Sequence, residues 1–219
     1  ALKTAGKRIV FVNFSGAAIA LEPESLNCEA ILQAWYPGQA GGQAVAEVLF
    51  GDYNPAGKLP LTFYRNLAQI PDFEDYNMTG RTYRYMKETP LFPFGHGLSY
   101  TTFKYGKLKM NDDKIAVGQN LNLVIPVTNT GSRDGDEVVQ VYLKKMDDTE
   151  GPVKTLRAFK RVRIPAGKTV EVKFSLDDTQ LEWWDEQSNT MRVCPGNYTV
   201  MIGGTSCEKS LLSRAFTIR

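Results

Sequence analysis

Histidine is nearly absent from this chain, with His96 as the single example in 219 residues. A zinc site built on two imidazoles of the chain is therefore excluded. Cysteine is scarce and odd in number, and Cys28, Cys194 and Cys207 fit no metal-ligand spacing. Residues 198–202, between the last two, read as a strand that at ~3.3 Å per residue carries their sulfurs beyond disulfide reach. All three are expected as free, buried thiols. An excess of one charge is lacking too: 26 Lys and Arg against 24 Asp and Glu leave +2. That balance gives no electrostatic footprint for nucleic acid or an anionic membrane. No apolar run approaches the ~20 residues that span a bilayer. The opening residues, Ala1-Leu2-Lys3-Thr4-Ala5-Gly6-Lys7, show neither an apolar stretch nor a cleavage pattern. This fits a cytosolic protein, or a chain that starts downstream of an export signal. No Gly-x-Ser-x-Gly elbow and no phosphate loop occurs, and neither a cofactor nor a metal is expected.

What is present divides into two periodicities. Ile9-Val10-Phe11-Val12 is continuously apolar, the pattern of a strand buried on both faces. Ala30-Ile31-Leu32-Gln33-Ala34-Trp35-Tyr36 is a second run, stopped by Pro37-Gly38. Val45, Val48 and Leu49 then recur at helical spacing, with Gly51 placed as C′ residue and Asn54-Pro55 ending any continuation. Leu59-Pro60-Leu61-Thr62-Phe63-Tyr64 predicts a further strand, at an edge because of Pro60. The order strand, strand, helix, strand is α/β but too short for a complete doubly wound domain. Residues 1–64 are expected to be the C-terminal part of an α/β sandwich.

Residues 65–100 show no clean period yet carry Tyr76, Tyr83, Tyr85, Phe92, Phe94 and Tyr100. An irregular connecting segment so rich in rings must pack on something. Over residues 101–219 the period becomes two. Leu121, Leu123, Ile125 and Val127 alternate with Asn122, Val124, Pro126 and Thr128, and Val139, Val141 and Leu143 with Gln140, Tyr142 and Lys144. Val170, Val172 and Phe174 form a third set, and Tyr198, Val200 and Ile202 a fourth. Separated by turn signals, these predict an all-β fibronectin III-like or immunoglobulin-like sandwich.

Several groups invite a chemical reading, each beside a plainer one. Glu22 and Glu24, then Asp72, Glu74 and Asp75, then Asp147, Asp148 and Glu150 form acidic clusters, but all lie where solvated loop acids are expected. Gly38-Gln39-Ala40-Gly41-Gly42 follows a strand and opens a helix, the end where open α/β sheets bind ligands. Its glycines equally allow a tight turn. His96, between Gly95 and Gly97, could face a substrate or fix a turn. Trp183 and Trp184 could stack on sugars, but neighbours on a strand point to opposite faces, so one belongs to the core. Asn13, Asn77 and Asn197 each open an Asn-x-Ser/Thr triplet.

Ala34-Trp35-Tyr36-Pro37-Gly38-Gln39-Ala40-Gly41-Gly42 and Leu49-Phe50-Gly51-Asp52-Tyr53-Asn54-Pro55-Ala56-Gly57-Lys58-Leu59-Pro60 resemble the end of the second domain of family 3 glycoside hydrolases. Phe92-Pro93-Phe94-Gly95-His96-Gly97-Leu98-Ser99-Tyr100-Thr101-Thr102-Phe103 is similar to that family's junction into a fibronectin III-like domain. Leu156-Arg157-Ala158-Phe159-Lys160-Arg161-Val162 and Gly196-Asn197-Tyr198-Thr199-Val200 resemble motifs of that domain. The resemblance implies a parent retaining β-glycosidase. Its aspartate nucleophile would lie in an N-terminal barrel and its acid/base glutamate upstream of this chain, so no catalytic residue is carried over here. Thr79-Gly80-Arg81-Thr82-Tyr83-Arg84-Tyr85 resembles the β-xylosidase and arabinofuranosidase branch more than the β-glucosidase branch. The implied partners are the parent's own barrel and an oligosaccharide substrate, with homo-oligomers through an exposed α/β edge, and the implied location is periplasmic or secreted. The rival reading is a stand-alone carbohydrate-binding or adhesion module using aromatics such as Trp184.

Overall fold

The computed structural model describes residues 2–219. The N-terminal part holds strand β1 (Val10–Asn13), helix α1 (Glu22–Asn27), strand β2 (Ala30–Gln33) and helix α2 (Gly41–Phe50). β1 and β2 pair in parallel, from Val10 with Ala30 to Asn13 with Gln33. The α/β order is as expected, with three differences. α1 occupies a stretch that reads as loop, because it is short, has Pro23 in its first turn and buries none of its residues. β1 is not buried on both faces: Val10 is half exposed, and Phe11 and Val12 are only partly covered. The third difference is residues 59–64, which form no strand. Leu59 N–H donates to His96 O and Gly95 N–H to Leu59 O, and Phe63 exchanges bonds with Phe92. Pro60 on one side and Pro93 on the other lack donors, so the ladder between these two points cannot close. The expected strand is thus reduced to two anchor points that tie residues 91–96 back onto the α/β part.

α2 ends as the sequence predicts, with Gly51 left-handed at φ 83° and its N–H donating to Val48 O. A four-residue helix, α3 (Thr82–Tyr85), lies within the aromatic connecting segment.

The sandwich comprises strands β3 (Phe103–Tyr105), β4 (Lys109–Met110), β5 (Lys114–Ile115), β6 (Leu121–Asn129), β7 (Gly135–Lys145), β8 (Thr155–Ile164) and β9 (Thr169–Leu176). Helix α4 (Asp178–Leu181), hairpin β10 (Trp183–Asp185) and β11 (Thr190–Arg192), and strands β12 (Gly196–Gly203) and β13 (Leu212–Ile218) complete it. One sheet runs β5-β13-β12-β7-β8. In the other, β6 pairs β9 along one edge and β3 and β4 along the other. Leu121, Leu123, Ile125 and Val127 of β6 face Val139, Val141, Leu143, Val200 and Ile202 in one core with no solvent access. Each such side chain is worth roughly 1.5–3 kcal/mol when fully buried.

β7 departs from strict alternation. Gln140 and Tyr142 belong to its polar set, yet both are buried. The connecting segment covers them: Tyr83 stacks on Phe94 at 4.3 Å between ring centroids and meets Tyr142 edge-on at 5.9 Å. Gln140 donates to Gly95 O and Gly204 O, and accepts from the Tyr142 hydroxyl. Gly95, at φ 77°, is left-handed, and a Cβ there would collide with the Gln140 amide.

The three cysteines carry no disulfide; Cys194 is buried, whereas Cys28 and Cys207 are partly exposed. Among the described residues no helix is long and apolar enough to cross a membrane.

Candidate functional site

Parallel strands β1 and β2 end side by side, and their carboxyl ends carry a polar cluster. Asn13 is buried, and its amide donates to Gln33 Oε1 at 2.6 Å and to Ser15 Oγ at 2.8 Å. Gln33 Nε2 returns to Ser15 O at 3.1 Å, and Ser15 Oγ donates to Ala17 O. The loops after both strands are thereby locked together at the end of the sheet where ligands bind in open α/β folds.

Trp35 follows β2 with φ at 56°, in the left-handed region that a tryptophan rarely enters. The turn packs the Trp35 ring edge-on against Phe63, 6.3 Å between centroids. It throws Tyr36 outward, 80% exposed, across Gly16, where any Cβ would strike the phenol ring. Pro37 then leads to residues 38–42. Gly41 packs on Pro37 with no room for a side chain, whereas Gly38 and Gly42 face open space. None of the three has positive φ, so only Gly41 is demanded sterically. Ala40 offers no side-chain cap to α2, and Gly41 N–H donates instead to Gly38 O.

Behind this edge lies a cavity of about 460 Å³ between β2, α2 and residues 96–100, with Ile31, Val48, Phe63, Phe92 and His96 among its walls. His96 stacks on Phe92 at 5.3 Å and 19°. Burial, and secondarily the Lys58 charge, hold its pKa below the ordinary histidine value, so the ring is neutral at pH 7. Its carbonyl accepts from Leu59 N–H and its N–H donates to Pro93 O. The backbone of His96 thus fixes a turn while the ring lines the cavity.

The turn after α2 is fastened to the sandwich. Asn54 Oδ1 accepts from Ser99 Oγ and Tyr100 N–H, while its amide donates to Asp134 O. Arg133 donates to Gly51 O at 2.6 Å and Tyr100 OH to Val48 O at 2.6 Å. Lys58 pairs with Glu137 at 3.1 Å, both side chains largely buried.

Five of the eight clustered acids have partners of their own. Glu22 pairs with Arg65. Asp72 and Asp75 accept local N–H groups, and the bonds from Asn77 hold Asp75 below the usual carboxylate range. Asp147 accepts from Asn197 N–H, and Asp148 from Gly151 N–H and Trp183 Nε1. Among the described residues no three His, Cys, Asp or Glu side chains gather as a metal-holding group. Trp183 is in the core and Trp184 is half exposed, opposite Met191 in the hairpin. The arrangement can hold, cap and pack. Sequence reasoning found the glycine-rich turn but missed the Asn13–Gln33 cluster; the amides closing two apolar runs were the available signal.

Two family models match the chain. Residues 1–100 match the family model of the glycosyl hydrolase family 3 C-terminal domain, and residues 137–206 that of a fibronectin type III-like domain. A xylan 1,4-beta-xylosidase of Xylanibacter ruminicola is 53% identical over all of this chain and 25% of its own length. A periplasmic beta-glucosidase of Salmonella typhimurium is 39% identical over 95% of the chain and 29% of its own. The solved beta-glucosidase of Erythrobacter marinus superposes on the whole chain with a TM-score of 0.86 at 38% identity, over 29% of that structure. The chain thus spans between a quarter and a third of these relatives.

Proposed function

The chain belongs to the C-terminal region of glycosyl hydrolase family 3, and from that premise we propose that it is the non-catalytic C-terminal part of a retaining β-glycosidase. Residues 1–64 complete an α/β sandwich domain, residues 65–100 clamp it, and residues 101–219 form the fibronectin III-like support. The parent removes terminal β-xylosyl, or α-L-arabinosyl, residues from plant polysaccharide oligomers. The observation that carries this is the 53% identity, along the whole chain, to the relative named as a xylan 1,4-beta-xylosidase. The rival sugar is glucose, favoured by the relatives named beta-glucosidases. Export to the periplasm is supported by the Salmonella relative's name.

Retaining hydrolysis needs two carboxyl groups ~5–5.5 Å apart across the scissile bond. Five of the eight acids singled out, Glu22, Asp72, Asp75, Asp147 and Asp148, already accept from partners within the chain, which supports an isolated chain without hydrolase activity. The test replaces the matched quarter of the Xylanibacter enzyme with this chain and assays aryl β-xyloside and aryl β-glucoside. Restored xyloside hydrolysis by the chimera, with none by the chain alone, is expected. Turnover by the chain alone that vanishes when one of its own carboxylates is mutated overturns the reading. A chimera faster on glucoside than on xyloside transfers it to the rival sugar.

A further inference from the structure

Three Asn-x-Ser/Thr triplets, the acceptor pattern for an N-linked glycan, open at Asn13, Asn77 and Asn197. An enzyme that adds such a glycan must grasp both the amide and the hydroxyl of the triplet, so the triplet must stand clear of the packed body. The fold closes two of the three. Asn13 is buried, its amide nitrogen donates to Ser15 Oγ and Gln33 Oε1, and the Ser15 hydroxyl of the same triplet donates to Ala17 O. Asn197 lies in β12, opposite Thr217 of β13. Its N–H donates to Asp147 Oδ2 at 2.9 Å and its carbonyl accepts from Met146 N–H at 2.8 Å. Lifting Asn197-Tyr198-Thr199 out of the ladder would expose Tyr198, which is fully buried.

The third triplet is open. Asn77, Met78 and Thr79 are all exposed and belong to no helix or strand. Arg81 gathers the backbone around them. Its Nε donates to Asn77 O at 3.0 Å, its Nη2 to Asp72 O and Asp75 O, and its backbone N–H to Met78 O at 2.9 Å. Gly80, left-handed at φ 74°, completes the turn. The loop is thus held by its carbonyls, which leaves the side chains of residues 76–79 in solvent. One N–H of the Asn77 amide is held by Asp75 Oδ1 at 2.8 Å, and the other has no partner among the described residues.

We propose that Asn77 is an acceptor for an N-linked glycan delivered as a glycosyl lipid diphosphate. In the transfer Asn77 Nδ2 bonds to the anomeric carbon of the sugar. The bond from that carbon to the diphosphate oxygen breaks, and the lipid diphosphate leaves with the electron pair. The amide proton passes to a base of the transferring enzyme. Phe73 and Tyr76, each at least 89% exposed, and Met78 flank the acceptor in the chain. The apolar face of a sugar ring packs on such surface, so a glycan here shields it from solvent. The site rests on the export reading for where the donor is met in the cell, but not for its competence in vitro.

The test incubates the folded chain with a purified single-subunit oligosaccharyltransferase and a polyprenyl-diphosphate oligosaccharide, then digests it with trypsin. Cleavage after Lys and Arg places the three triplets in separate peptides, 9–58, 66–81 and 193–209. Mass spectrometry should show one glycan mass added to peptide 66–81 and none to the other two, and the addition should vanish in N77Q. Peptide 66–81 left unmodified in the folded chain overturns the proposal, and so does occupancy of Asn13 or Asn197 equal to that of Asn77. T79V keeps the amide and loses the hydroxyl, and a glycan that persists on Asn77 there is equally fatal.

Discussion

Lys58 Nζ lies 3.1 Å from Glu137 Oε1, joining the turn after α2 to the first residues of β7. Lys58 also donates to Gly97 O, and Glu137 Oε1 accepts from Val138 N–H. The pair is therefore a three-way joint between the α/β part, the connecting segment and the sandwich.

Removing one partner strands the other charge in a poorly solvated place. K58M or E137Q should each cost about 3–5 kcal/mol, while the double variant K58M/E137M should recover most of the loss. Urea unfolding of the three proteins measures both; single variants within 1 kcal/mol of the parent, on that same scale, would refute the joint.

His96 couples the cavity to pH. Its folded pKa is lowered from 6.5, chiefly by burial, so below that value the unfolded chain binds a proton that the folded chain resists. The stability His96 contributes is present above pH 6.5 and is lost as pH falls through 6.5 toward the folded value. The urea midpoint should therefore drop more between pH 7.5 and 5.5 in the parent than in H96F. Equal drops would show that the ring titrates normally.

The α/β part should be the less stable one. β1 and β2 pair only with each other, whereas β6 and β7 have partners on both edges. Hydrogen exchange should show residues 10–13 and 59–63 opening at lower free energy than residues 121–127 and 139–143. Equal protection would make the whole chain one cooperative body and erase any energetic boundary near residue 100.

Tyr36, Phe50, Phe73 and Tyr76 are each at least 80% exposed, all on the N-terminal side of the chain. Uncovered aromatic surface of this extent favours association. Sedimentation velocity should show the isolated chain leaving the monomer as concentration rises, and an apolar dye should bind. Y36S combined with F50S should reduce both. A monodisperse monomer that ignores the dye would contradict the expectation.

Legibility followed the number of buried faces. The core positions of β6 were readable because one face is dry and the other wet, which writes a period of two into the residues. Gln140 and Tyr142 were not, because what buries them is a segment with no period of its own. Residues 59–64 read as a strand from their apolar content, while Pro60 and Pro93 decided the hydrogen bonding. At the candidate site the glycine-rich turn was visible. The left-handed Trp35 was not, since nothing about a tryptophan announces positive φ.

Phe94 O, which receives the N–H of Ser206 and the hydroxyl of Thr205, sets a schedule for synthesis. Residues 91–96 hold the α/β part in place, yet the groups that hold them come from the far side of β12. Gly204 O, which Gln140 needs in order to grip Gly95 O as well, arrives equally late. At ~5–20 residues per second, a ribosome that has finished residue 64 needs roughly 7–30 s more to reach residue 206. Once they have cleared the exit tunnel, β1, β2 and α2 wait without their clamp, an apolar stretch for nascent-chain chaperones to shield.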